Sequence, residues 1–173
     1  MEIGLLILRL TVGLALAAHG AQKLFGVFGG HGIAGTGGFF DTLGFRPGKP
    51  LALVAGIGEL GGGLGLALGL FTPLAAAAVL ATMIVAAVGV HLDKGFFAQN
   101  GGYELAFIVG AVALSLGFTG PGALSLDELL GLHLGGAYAG VITLVLGLVG
   151  ALPPLLARAS SLRRDHTARA PQG

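Results

Sequence analysis

The sequence has no cysteine and no tryptophan, and only 10% of its residues are charged. Without cysteine, disulfides, thiol relays and cysteine-held iron–sulfur clusters are excluded within this chain. The scarcity of charge excludes more: a soluble domain carries about 25% charged residues because its surface faces water. Dense basic runs are missing too, and with a net charge of +1 no nucleic-acid partner is expected.

What is abundant is apolar surface and glycine. Of 173 residues, 54% are hydrophobic and 34 are glycine, and the mean hydropathy is +0.92. A bilayer asks for apolar side chains on the outside and for every backbone amide to be bonded internally. Small residues let helices approach closely where no hydrophobic effect drives their packing. The expected fold is all-α, a bundle crossing the membrane several times.

Five apolar stretches approach the roughly 20 residues that cross a bilayer: 3 to 24 or 25, 51–70, 74–92, 103–118 and 137–157, the last interrupted by Pro153-Pro154. Pro50 and Pro73 suit first-helical positions, and Thr72 suits a cap. In the Gly-rich loop 29–49, Phe39, Phe40 and Leu43 suit a short helix lying in the interface. Ser125-Leu126-Asp127-Glu128 fits a capping box. The first stretch reads as a span rather than a cleaved signal. Ala15-Leu16-Ala17 resembles a cleavage site, yet Glu2 opens the chain and Arg9 interrupts the apolar run.

With five spans, Lys23, Arg46, Lys49, Lys94 and the arginines after Ala157 share one side, while Glu2, Asp127 and Glu128 mark the other. The excess of Lys and Arg places the N-terminus outside and the C-terminus in the cytoplasm.

Ionisable groups inside spans cost at least about 2.5 kcal/mol at mid-helix and mark candidate sites. They recur here as Arg9, His19 and Lys23, then Glu59, His91, Tyr103 and Glu104. Arg9, His19 and Lys23 fall within a sector of roughly 80° on their helix. A rise of about 1.5 Å per residue brings His19 and Glu59 to similar depths. The expectation is a buried Arg9–Glu59 pair with His19 beside it. Lys23, His91 and Glu104 lie near enough to the interface to reach water instead. An axial haem pair from His19 and His91 is disfavoured by their offset in depth, and no metal site is expected. A quinone or lipid headgroup, or a proton path, suits the cluster better. The glycines around Glu59 follow no strand, which excludes a dinucleotide turn; spacing at Gly58/Gly62 and Gly61/Gly65 suits close helix approach, within the chain or in a homo-oligomer.

Arg9-Leu10, His19-Gly20, Lys23-Leu24, the segment from Gly56 to Gly63 around Glu59, and Gly69-Leu70-Phe71-Thr72 together resemble the DoxX family of small bacterial membrane proteins. Asn100-Gly101-Gly102-Tyr103-Glu104 and the run from Gly120 to Asp127 extend the likeness to about residue 130. The resemblance implies a four-helix membrane bundle over 1–130, with Arg9, His19, Glu59 and Glu104 at its characteristic polar positions. Residues 131–157 then form an additional transmembrane helix, and 158–173 a basic, disordered cytoplasmic tail. Pro73 stands where many relatives carry a basic residue. The resemblance further implies a bacterial cytoplasmic membrane and an association with redox proteins, some relatives being linked to thiosulfate:quinone oxidoreductase and others to oxidative-stress complexes. Three functions compete: an accessory, quinone- or lipid-interacting subunit of a redox assembly; a scaffold or chaperone with structural charges; and a small transporter or proton path. An autonomous enzyme has the least support.

Overall fold

The computed structural model describes residues 2–169. Helix α1, Glu2–Phe25, is followed by the short α2, Gly32–Thr42, and by α3, Gly48–Leu68. Helix α4, Thr72–Ala86, continues through a π turn at Ala87–His91 and a 3-10 turn at Leu92–Lys94. Helices α5, Glu104–Thr119, α6, Leu126–Leu129, and α7, Ala137–Arg169, complete the chain. No strand occurs among the described residues. The protein is an all-α polytopic membrane protein: α1, α3, α4 with its extension, and α7 are each long and apolar enough to span. Helix α5, at 16 residues, is the shortest of the five, about 24 Å long.

The order of packing follows from where the small residues lie. One face of α3 places Gly56 and Gly63 against α1, and a Cβ on Gly13 of α1 would stand only 2.5 Å from the Gly63 carbonyl oxygen. The neighbouring face of α3 presents Gly58, Gly62 and Gly65 to α4. The glycine-rich run therefore brings two helices onto α3 rather than one. Helix α4 in turn packs on α5 and α7. The buried core is correspondingly fine-grained, with Leu16, Leu66, Ala76, Val79, Ala113 and Leu116 at its centre. Large side chains such as Ile3, Ile7, Leu105 and Leu156 point outward, as lipid requires.

Alternating helix directions give the bundle two ends. Glu2, Asp127 and Glu128 lie at one, the acidic end; Lys23, Arg46, Lys49, Lys94 and the α7 arginines lie at the other, the basic end.

Several local expectations change. Helix α3 begins at Gly48, so Pro50 is its third residue and not its first. Thr72 does not cap α4. Phe71 holds the cap position in a left-handed conformation, and the helix N-terminus is bonded by Asp127 instead. Ser125 does cap α6, accepting from the Glu128 amide at 3.2 Å. The tail expected to be disordered after Ala157 continues as helix to Arg169. Leu162 packs near Gly44, Arg158 Nε donates to the Leu43 carbonyl at 3.0 Å, and Arg46 meets Asp165 at 2.8 Å. Residues 170–173 of that segment lie outside the described residues.

Candidate functional site

The polar residues expected to form one cluster divide between the two ends. Arg9 and Glu59 are not partners. Arg9 is fully buried and donates from Nη2 to the Leu124 carbonyl at 2.5 Å, at the acidic end. Its Nε and Nη1 have no hydrogen-bond partner among the described residues. Asp127, also fully buried, sits close by and takes three bonds: the Phe71 amide at 2.7 Å, the Thr72 amide at 2.9 Å and the Thr72 hydroxyl at 2.7 Å. Glycine at position 69 makes room: φ there is +62°, and a Cβ would collide with Arg9 Nη1 and the Ser125 side chain. Glu2 adds a bond from the Ala123 amide. The loop before α6 is thus tied to α1 and α4 through charge-assisted bonds to backbone. A rise counted along α1 alone does not reveal that Arg9 reaches this loop.

Glu59 instead accepts a hydrogen bond from the Lys23 ammonium, Nζ to Oε2 2.5 Å, with only 8% of its side chain exposed. Glu59 lies midway along α3, where Gly56 and Gly63 hold α1 close, so the flexible lysine stem spans the gap. This pair borders a cavity of about 470 Å³ at the basic end. Helix α4 and its π turn form its floor with Ala78, Thr82, Val85 and His91. Leu51, Val54, Ala55 and Gly58 of α3 line one side, and Gly150 and Pro154 of α7 the other. Phe39 and Phe40 of α2 and Phe45 of the following turn also line it, as does Lys94.

The π turn carries His91 into this wall. Gly89 within it lies against the Phe45 ring, where any Cβ would clash. His91 Nδ1 lies 2.6 Å from the Gly101 carbonyl oxygen. A carbonyl only accepts, so Nδ1 carries the hydrogen, and Nε2 is left as acceptor in the neutral ring. Arg158 stands 5.6 Å from the centre of the buried Phe45 ring. The apolar walls, with a few convergent polar groups, have the form of a small-molecule site.

The remaining expected members lie elsewhere. His19 is exposed on α1, bonded among the described residues only to Gln22 Oε1 at 3.1 Å, and does not line the cavity. Glu104 accepts from the Ala98 amide at 2.8 Å, and Tyr103 packs edge-on against Phe96. Both organise the turn before α5. No group of histidines and carboxylates suited to a metal occurs among the described residues.

The sequence profile of DoxX matches residues 4–92, which carry Arg9, Lys23, Glu59 and His91. The chain belongs to the DoxX family. A relative from Haemophilus influenzae, described as an uncharacterized protein, is 36% identical over 128 residues, covering 70% of this chain and 86% of that one. No solved structure matches the chain.

The DoxX match supplies the floor and one side of the cavity, whereas the α7 wall lies beyond the matched residues. Sequence reasoning named Lys23, Glu59 and His91. It missed Asp127 as a buried anion, since the capping-box spacing explained that residue without burial. Phe45 was also missed: it follows the short helix suggested by Phe39, Phe40 and Leu43, and a lone aromatic there carries no periodic signal.

Proposed function

We propose that this DoxX protein binds the polar head of a membrane amphiphile, a quinone or a lipid, in the basic-end cavity, and serves as an accessory subunit of a membrane redox assembly. The observation that carries the reading is the cavity itself. A structural strut needs only the Lys23–Glu59 pair. The same space also gathers His91, one ring nitrogen of which has no hydrogen-bond partner among the described residues, and three phenylalanine rings. The redox setting rests on the family resemblance. In this reading the basic end faces the cytoplasm, following the excess of Lys and Arg there.

The test is mass spectrometry of the lipid extract, with an absorbance spectrum, from gently purified protein. His91→Leu should remove the bound amphiphile, whereas His19→Leu should retain it, because His19 lies off the cavity. Protein carrying no amphiphile beyond the bulk composition, or losing it equally in both variants, would leave the scaffold reading in its place.

A further inference from the structure

We propose that the occupant of this cavity is a phospholipid with a net negative headgroup, held by Lys94 and the Lys23–Glu59 pair with its chains along the α3–α7 gap. The proposal rests on the reading of the cavity as an amphiphile site and adds the charge of the ligand. Two observations carry it.

The first is the charge balance at the rim. Lys23 and Glu59 neutralise one another. Lys94 also lines the cavity, and among the described residues it has no carboxylate partner. The other acidic groups near this end bond to groups other than Lys94 or do not line the cavity. Asp41 accepts from the Gly48 amide, Glu104 from the Ala98 amide, and Asp165 from Arg46. Asp93, next to Lys94, is exposed and does not line the cavity. One lysine without a carboxylate partner among the described residues therefore stands beside an ion pair. Lys23 keeps ammonium hydrogens beyond the one given to Glu59, so a phosphate lying between Lys94 and Lys23 would be bonded from both sides.

The second is the shape of the walls. Helices α3 and α7 both pack on α4 but not extensively on each other, so a gap lies between them over the α4 floor. Val54 on its α3 side is 61% exposed, and the lining along Leu51, Ala81, Val85 and Pro154 is apolar. A free inorganic anion would satisfy the rim and leave this surface uncovered. An acyl chain covers it while its headgroup stays at the level of the lysines.

The experiment uses the full chain in nanodiscs made from equal parts phosphatidylglycerol and phosphatidylethanolamine, with added ubiquinone. The amphiphiles that remain after mild detergent extraction are measured by native mass spectrometry. Phosphatidylglycerol should be retained over phosphatidylethanolamine, and Lys94→Gln should reduce that preference roughly five-fold, the effect of one interfacial lysine on an anionic lipid. Arg163→Gln, which removes an exposed cation away from the cavity, should leave it unchanged. Filling the cavity by Ala55→Phe, or by the smaller Ala81→Leu should the first fail to fold, should abolish retention. Equal retention of the two lipids, or an equal loss with Arg163→Gln, overturns the proposal. Cavity-dependent retention of ubiquinone without phosphatidylglycerol overturns it as well, and leaves the amphiphile reading standing. Retention of every amphiphile unchanged in a folded cavity-filling variant overturns both.

Discussion

The two ends of the bundle handle buried charge in opposite ways. At the acidic end, Arg9 and Asp127 are both fully buried, and each is bonded to groups of the connecting loops, mostly backbone. At the basic end, Lys23 and Glu59 bond side chain to side chain beside an open cavity. The first arrangement fixes three chain segments, because backbone partners cannot move without the fold moving. The second joins α1 to α3 through side chains alone and leaves the other ammonium hydrogens of Lys23 beside the cavity. Intramembrane charge therefore does not by itself identify a ligand site; what the charge is bonded to distinguishes the two ends, and under the proposed reading it separates a strut from a site.

The sharpest way to break this comparison is to remove Asp127. Asp127→Ala takes three bonds from the start of α4 and the nearby negative charge from Arg9. Loss of one member of a buried charged network costs about 3 to 5 kcal/mol. Thermal unfolding in detergent should show a larger loss than removal of any polar side chain at the basic end, or no folded protein at all. Asp127→Asn, which keeps an acceptor, should recover part of it. A loss no greater than that from Glu59→Gln would mean that the two ends are equally structural. Gly69→Ala probes the same end from the backbone. It forces a left-handed position and a collision with Arg9, worth about 1 to 3 kcal/mol for the backbone conformation alone. Gly61→Ala, in a helix position with open space around it, is the control and should be neutral or stabilising by up to about 1 kcal/mol.

How far the fold was legible follows from the same contrast. Helix existence and membrane class were readable because hydropathy and glycine content act along one helix at a time. The Gly58/Gly62 spacing even indicated a close helix contact, now seen against α4. Partner choice was not readable. Arg9 reaches a loop 115 residues away in sequence, and depth counted along a helix carries no information about loops that fold back. The expected Arg9–Glu59 pair failed for that reason, while Glu59 found Lys23, a residue expected to reach water. His19 was grouped with Arg9 and Lys23 by a shared face that proved too wide: Lys23 turns toward α3, and His19 lies exposed. The length of α7 was hidden too, because its last turns are polar. They are held by contacts to the 43–46 turn rather than by an apolar stripe.

At the basic end the predicted effects are smaller. Lys23 retains 25% exposure of its side chain, so after Glu59→Gln it can turn its ammonium toward the interface. The loss should be about 1 to 3 kcal/mol, the range for a buried polar group left without its partner. Lys23→Met combined with Glu59→Gln should recover part of it in a double-mutant cycle. The cycle between Arg9→Met and Glu59→Gln should be additive, since the two residues share no partner. Coupling there above about 0.5 kcal/mol would contradict the separation of the two ends.

The smallest effect is expected at the Arg46–Asp165 pair, which joins the turn before α3 to the last turns of α7. Both guanidinium–carboxylate distances are 2.8 Å, yet the side chains are 47% and 41% exposed. Exposed pairs contribute about 0.2 to 1 kcal/mol, and salt screens them. Asp165→Asn should therefore move the unfolding midpoint little, and the difference from wild type should shrink further as salt is raised. The position of this pair makes the variant informative nonetheless. Arg158, two helical turns before Asp165, stands by the Phe45 ring that lines the cavity. Release of the end of α7 should loosen Phe45 without unfolding the acidic end. Hydrogen exchange followed residue by residue should show faster exchange at Leu43, Gly44 and Phe45 in Asp165→Asn, with Phe71 and Thr72 unchanged. Faster exchange at both ends would mean that α7 transmits the change along the bundle, and that the strut and the site are one cooperative unit.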